Sequence, residues 1–573
     1  MGLPYLPPLV VLALYFWGFL DHAWSVVTFP YQLDYGEMPE LNRAWLLAQG
    51  RQIYVDWSRP PYQMANYPPL YSAAAAAGVA FFGEQFFTGR LLSLASTLAG
   101  GACLAAIAAS LGTGRWGALV GGLLYFVGHP VWNWGAFQRV DAFAVALELL
   151  GVAVFSLGVA ADGGGPPGAR ARGRWAVWAT VPLFLAAAYA RQTVVAGAFA
   201  CYAYLLVRRP RLALAAIAAY GASGLAALGL LQLQTEGQFW RHIVDGNLNR
   251  WSWETVDFYW RPFWRLLHWS FPLAAGAALA GALTRAPQFP LLYLVASGAT
   301  ALTIGKIGSN VNYLLQLWAG LSLMTSLAVS ASLRLASRPV SGRRPVRLRV
   351  LAHAWGALAR PLRAVPLLVT AIWLLVGLQQ AFHVPFTWAA GTEAAGARLG
   401  GPAQLFARLR WTRLPLWRLD PWAAPPAELP AYYRRPYREN PSATDRETAA
   451  RAHEYMARLP EDVLGEEMSF TVTTGKRIYL QPFEFTQLAE QGEWDQRPLL
   501  DDIRRGSFTA VVLRFRLGDD PGWRRQRIGQ PMIDALAGAY ELAAVYGDYF
   551  IYRPKAAPSA GSPPSRGVVA ALP

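Results

Sequence analysis

The chain has 573 residues, of which 54% are hydrophobic and only 15% charged, and its mean hydropathy is +0.23. This excludes an ordinary soluble domain, because the apolar residues gather in runs long enough to cross a bilayer. The net charge of +16 does not call for nucleic acid, since the arginines cluster at the flanks of apolar runs and in one loop, as positive-inside topology requires. Cys103 and Cys201 both fall within apolar runs and read as small buried residues, not as a disulfide framework or a metal motif.

The first apolar run, 4–29, lacks a Lys/Arg-rich start and a small-residue cleavage site, so it reads as a retained span. A loop at 31–67 follows. Between Tyr31 and Tyr71 four acids (Asp34, Glu37, Glu40, Asp56) are interleaved with six tyrosines and two tryptophans. Acids beside a bilayer boundary are costly unless solvated, paired or used. Within the loop, Met38, Leu41, Trp45 and Leu46 are spaced as the apolar face of an amphipathic interfacial helix over 37–49, ended by Gly50.

Further apolar runs lie at 68–82, 91–111, 116–134, 141–161, 175–190, 193–207, 212–233, 266–283, 289–305, 313–333 and 364–382. The basic segments 163–174, 208–211 and 334–363 are expected to face the cytoplasm. Four runs between residues 68 and 161 give the wrong parity, so one of them should be short or re-entrant, and 68–82 is the shortest. The expectation is a polytopic α-helical membrane protein with about 11 transmembrane helices, its N-terminus cytoplasmic and its C-terminal part extracytoplasmic.

Beyond this module (1–385), residues 386–439 read as a Trp-, Pro- and Arg-rich membrane-proximal linker. Residues 440–553 read as a small α/β domain: helices over 442–459 and 528–540, strands over 468–472, 477–480 and 508–514, and a hairpin of 541–546 with 549–553. The tail 554–573 has a disordered composition.

The motifs Asp34-Tyr-Gly-Glu37, Gly50-Arg-Gln-Ile-Tyr54-Val-Asp56 and Tyr67-Pro-Pro-Leu-Tyr71 resemble the first external loop of the GT-C glycosyltransferases. These polytopic enzymes, among them the protein O-mannosyltransferases and the lipid A aminoarabinose transferase, move a sugar from a polyprenyl-phosphate carrier to an acceptor on the outer side of the membrane. The segment Gly475-Lys-Arg-Ile-Tyr479-Leu-Gln-Pro-Phe483 is similar to part of the extramembrane domain of bacterial members. The resemblance implies a GT-C-like module with a small C-terminal extramembrane α/β domain. It also implies a polyprenyl-phosphate-linked sugar donor, a glycan, lipid or protein acceptor, and residence in a bacterial inner membrane.

The resemblance assigns the catalytic carboxylate to Asp34, with Glu37 one helical turn on, and puts a second acid at Asp141, at the mouth of a later span. Arg139 beside it could bind phosphate or pair with Asp141. The aminoarabinose transferase has a lysine before its Pro-Pro-Leu motif where this chain has Tyr67, so a phosphate-binding cation must come from elsewhere: Arg59, Arg191 or Lys306. Lys306 is one of three lysines in the chain and sits among the donors Asn310, Asn312 and Tyr313, a set suited to a phosphate or a sugar and equally to an interfacial lysine with a polar cap. Arg241, His242, Arg250 and Arg265 are weaker candidates. No zinc-type spacing, P-loop or dinucleotide fingerprint occurs. No cofactor follows with certainty, and a divalent metal stays open. The rival from another class is a transporter or flippase of a lipid-linked substrate, for which intramembrane charges would line a pathway.

Overall fold

The computed structural model describes residues 2–162, 169–337, 364–378, 440–466 and 468–555. The predicted linker 386–439, the tail beyond Lys555, and residues 163–168 and 338–363 of the basic segments lie outside the described residues. The chain divides into two compact units, Met1–Val55 with Ala65–Ser442, and Asp56–Met64 with Ala443–Pro573. Nine residues of the first loop therefore belong to the second unit, a division that the expected boundaries at 31–67 and 440 do not contain.

The described residues of the first unit are built mainly of helices. In chain order its helices are α1 (Leu6–Val27), α2 (Glu37–Ala48), α3 (Leu70–Phe82), α4 (Phe86–Ser110), α5 (Gly114–Leu124), α6 (His129–Trp134), α7 (Val140–Asp162), α8 (Ala169–Ala190), α9 (Ala196–Arg208) and α10 (Pro210–Gln234). There follow α11 (Gln238–Ile243), α12 (Trp253–Leu267), α13 (Ser270–Thr284), α14 (Phe289–Ala301), α15 (Leu315–Ser337) and α16 (Ala364–Leu378). Helices suit these segments because no water in hydrocarbon can satisfy a free backbone group.

Among the described residues, five helices are long and apolar enough to cross a membrane: Leu3–Val27, Phe86–Ser110, Val140–Val159, Pro210–Gln234 and Val311–Ser337. On α10 the leucines Leu214, Leu225, Leu230 and Leu233 are exposed, as lipid-facing side chains should be. The run 175–190 lies in the 22-residue α8, whose first turns carry Arg170, Arg172 and Arg174; several of the other expected spans are shorter or broken. The run 68–82 forms α3, 13 residues or about 20 Å long. The run 116–134 is not one helix: α5 passes into a 3₁₀ turn at Tyr125–Val127, then an extended Gly128, then α6. The run 266–283 belongs to a helix pair, α12 and α13, bent by 75°.

The loop helix α2 ends as expected before Gly50, whose φ of +69° suits glycine. It is not an amphipathic helix with a free polar face, however. Glu37, Glu40, Asn42 and Arg43 are buried along with Met38 and Leu41. Arg43 pairs with Glu40 at 2.5 Å, and the Ser72 hydroxyl donates to the same carboxylate at 3.2 Å. Burying both faces is tolerable because the polar groups find one another.

In the second unit, helices α17 (Ala443–Ala457), α18 (Pro482–Gln491), α19 (Arg497–Arg504) and α20 (Gln530–Ala539) accompany a sheet of β1 (Val463–Gly465), β2 (Ala510–Leu513), β3 (Tyr540–Tyr546) and β4 (Tyr549–Pro554) in the order β1-β2-β4-β3. β1 and β2 are parallel; β2–β4 and β3–β4 are antiparallel, so the expected terminal hairpin is present. The expected strands 468–472 and 477–480 are not: Val472–Thr474 is a 3₁₀ turn, and Leu480 makes a single bridge to Tyr62. Tyr62 donates its N–H to Tyr479 O at 2.7 Å and accepts from Gln481 N at 3.0 Å. Its ring packs on Tyr479, Phe485 and Trp494.

Candidate active site

The site is built on the turn that follows α1. Glu37 folds that turn: its Oε2 accepts Leu33 N–H at 2.8 Å and Asp34 N–H at 3.2 Å, while its Oε1 accepts Gln138 N–H at 3.0 Å. Arg90 of α4 grips both oxygens at 2.7 Å and donates its remaining N–H groups to the carbonyls of Val26, Phe29 and Tyr31. Arg90 and Glu37 are both fully buried. Burial alone would raise the Glu37 carboxyl, but the Arg90 charge and the converging donors hold it below the usual carboxylate range. Glu37, a catalytic candidate by sequence, is thus a fastened ion pair at the root of the loop.

Asp34 is placed differently. Its Oδ1 accepts Gly36 N–H at 3.0 Å, which closes the turn, and its side chain keeps 12% exposure. Glu37, Glu40 and Asp141 have none. Arg139 Nη1 stands 3.7 Å from Asp34 Oδ1, and Arg139 Nη2 donates to the Tyr67 hydroxyl at 3.3 Å. The Arg139 guanidinium also lies against the rings of Tyr67 and Trp134. A Cβ at residue 36 would stand 1.1 Å from Arg139 Nη1, so any side chain there would have to displace the end of that arginine. Burial opposes the Arg139 charge, but Tyr67, Asp34, Asp141 and Glu40 together raise its pKa above the ordinary value. The Tyr67 phenol is pushed up by burial, against the pull of Arg139.

Asp141 opens α7 and is fully buried. Its Oδ2 accepts from Trp134 Nε1 at 2.8 Å; its Oδ1 accepts from Asn312 Nδ2 at 2.9 Å and from Arg191 Nη1. Arg191 sits in the break between α8 and α9, where its guanidinium lies 4.3 Å from the centre of the Tyr313 ring. Burial opposes its charge, and Asp141, Tyr313 and Tyr67 together more than offset that. The Nη2 of Arg191 and the Nε of Arg139 are buried and have no hydrogen-bond partner among the described residues. Asp141 therefore holds an arginine, and that arginine keeps donors unspent.

Lys306 follows α14 and donates to Asn247 Oδ1 at 3.0 Å. Burial lowers its pKa to about 8, and the neighbouring Arg191 charge works in the same direction. Asn247 is a junction: its Nδ2 donates to Asn66 O at 3.1 Å as well as to the carbonyls of His242 and Ile243. Gln192, beside Arg191, also donates to Asn66 O, so the residue before Tyr67 is tied to the segments that carry both cations. His242 brackets this stretch, accepting Ala65 N–H at Nδ1 and bonding Val55 O through Nε2.

Asn310 caps the 3₁₀ turn Val311–Leu314 through Val311 N–H. Arg59 is exposed and lies in the segment belonging to the second unit. Arg90, Trp134 and Asn247 were not legible as site residues. Arg90 precedes the predicted span 91–111 and reads as a flank, although α4 already begins at Phe86. Among the described residues no group of three or more His, Cys, Asp or Glu could hold a metal ion; the cations gathered here are side chains.

No protein-family model matches this chain, and neither does any curated protein. Solved structures do. ArnT from Cupriavidus metallidurans in the apo state covers 94% of this chain over 97% of its own length, with a TM-score of 0.51 at 14% identity. The same protein bound to undecaprenyl phosphate covers the same shares, with a TM-score of 0.51 at 15% identity. The chain has the GT-C fold. The Archaeoglobus fulgidus oligosaccharyltransferase tethered with an acceptor peptide containing the NVT sequon covers 92% of this chain over 72% of its own, with a TM-score of 0.43 at 13% identity. Asp34, Arg139, Asp141, Arg191 and Lys306 all belong to the first unit.

Proposed function

We propose that this membrane protein is a glycosyltransferase that moves a sugar from a polyprenyl-phosphate carrier to an extracytoplasmic acceptor. The observation that carries the reading is the pairing of Asp34, the carboxylate of this group that keeps exposure, with Arg139, next to a second arginine with unspent donors. In the reaction the bond between the sugar's C1 and the phosphate oxygen breaks as an acceptor oxygen bonds to C1. The acceptor's proton passes to Asp34. The departing polyprenyl phosphate takes the bonding electron pair, and Arg139, Arg191 and Lys306 neutralise it. Tyr67 and Tyr313 hold the two arginines; Asp141 holds Arg191, and Asn312 steadies Asp141. ArnT bound to undecaprenyl phosphate supports a lipid-phosphate donor.

The test is transfer from radiolabelled polyprenyl-phosphate sugars in proteoliposomes. Transfer of label supports the enzyme; lipid scrambling without transfer favours the transporter instead. A pH profile adds a specific signature. Lys306 carries its charge below about 8 in the free protein, so kcat/KM for the donor should fall as pH rises through that value. In Lys306→Met that limb should vanish and the low-pH value should drop. An unchanged limb in the variant would remove Lys306 from the donor site.

Gly36→Ala tests the turn. The new methyl must displace Arg139 from Asp34, and a displacement of about 1 Å near reacting groups can cost roughly 10²-fold in rate. Transfer should fall accordingly, with the detergent-solubilised protein still monodisperse. Wild-type transfer would mean that Arg139 is not needed where it lies.

A further inference from the structure

Glu148 is a buried acid that this reaction leaves unused. It lies on α7 seven residues after Asp141, about 10 Å along the axis and on the same face. Its side chain is fully buried, and no arginine or lysine pairs with it among the described residues. Its Oε1 accepts Gly197 N–H at 2.7 Å, Gln316 Nε2 donates to its two oxygens at 3.0 and 2.8 Å, and the Tyr293 hydroxyl donates to Oε2 at 3.1 Å.

The arrangement repeats, two turns on, what surrounds Asp141. Asn312, in the 3₁₀ turn that leads into α15, donates to Asp141, and Gln316, four residues later on α15, donates to Glu148, so one continuous segment serves both acids. The α8–α9 break likewise supplies both: Arg191 to Asp141, and the Gly197 N–H to Glu148. Helix α9 has no cap of its own, because Val195 gives it no side-chain hydrogen bond. Gly197 is its second residue, the place whose N–H a capping oxygen normally takes. Glu148 provides that oxygen from a neighbouring helix, where a carboxyl group also suits the helix dipole. A Cβ at residue 197 would stand 2.7 Å from Glu148 Cγ, so glycine there is what admits the contact.

We infer that Glu148 is a positioning residue that caps α9 from α7, fixes the α8–α9 break and so sets Arg191 for the donor. The role of Arg191 rests on the proposed transfer reaction; the hold on the break does not. Three variants test it in nanodiscs: Glu148→Gln, Glu148→Ala and Gly197→Ala. The readouts are hydrogen exchange across residues 191–197, binding of undecaprenyl phosphate, and donor KM and kcat.

Gln keeps an acceptor oxygen for Gly197, so Glu148→Gln should rescue, with exchange and KM near wild type. Glu148→Ala should speed exchange in the break and raise donor KM by about two- to ten-fold, the loss expected for one ordinary hydrogen bond. Gly197→Ala should move both in the same direction with the carboxyl still present, and carries the test if Glu148→Ala does not fold. Wild-type exchange in both Ala variants would overturn the inference, as would Glu148→Gln failing as badly as Glu148→Ala, since charge rather than acceptor geometry would then matter. If wild type neither binds nor transfers, the proposed reaction fails, while the exchange comparison still decides whether Glu148 holds the break.

Discussion

Asp34→Asn should lose about 10²- to 10⁴-fold of transfer, the usual contribution of a positioned general base, without losing the protein. Asn is nearly isosteric, and its side-chain oxygen can still accept the Gly36 N–H that closes the turn at 3.0 Å. Glu37 and Arg90, which anchor the loop from behind, are untouched. What disappears is the site for the acceptor's proton and the negative partner of Arg139. Undecaprenyl phosphate should therefore bind within a few-fold of wild type while turnover collapses. Asp141→Asn should behave in the opposite way: it loosens Arg191 and should raise donor KM more than it lowers kcat. Full transfer by Asp34→Asn would sink the assignment and return the base to another acid.

The difference between these two acids could not be read from the chain. Asp34 and Asp141 each follow or open an apolar run and look alike as sequence. Their environments differ because residues far away choose them: Arg139 comes 105 positions after Asp34, and Arg191 reaches Asp141 from 50 positions on. The same holds for Glu37. Its place one turn after Asp34 suggests a second catalytic acid, but Arg90 and the Gln138 N–H take up its oxygens. Glu148 was within reach of sequence reasoning, because an ionisable residue seven positions inside a predicted span demands a partner.

The long apolar runs set the class, and the helical spacing in 37–49 did give a helix. Its polar face needs no solvent, because Arg43 pairs with Glu40 within the helix and Ser72 of α3 donates to the same carboxylate. The missing strands of the second unit have a similar cause. Leu480 pairs with Tyr62, more than 400 residues away, and local alternation cannot announce a partner of that kind. That excursion of residues 56–64 leaves the first unit after Val55 and returns at Ala65, the two residues that His242 brackets.

Arg90→Ala should be the most damaging single change to the fold. The arginine spends all its donors on one carboxylate and three main-chain carbonyls at the end of α1. Removing it strands Glu37 as a buried charge without its counter-ion, which typically costs about 3–5 kcal/mol. The exit of α1, the Asp34 turn and the start of α2 should loosen together, giving poor expression and early aggregation in detergent. Arg90→Lys should recover only part, since an ammonium cannot grip both oxygens and reach three carbonyls. The double variant Arg90→Met/Glu37→Gln should be more stable than Arg90→Ala, because no unpaired charge is left inside. The pH dependence has a definite sign. Glu37 is depressed in the folded protein, so the stability it supplies is present above the ordinary carboxylate range and is lost as pH falls through its lowered value. Thermal stability of wild type should drop on acidification through that range, and the double variant should lack this part of the drop. Equal stability of Arg90→Ala and wild type would show that the loop is held by other contacts.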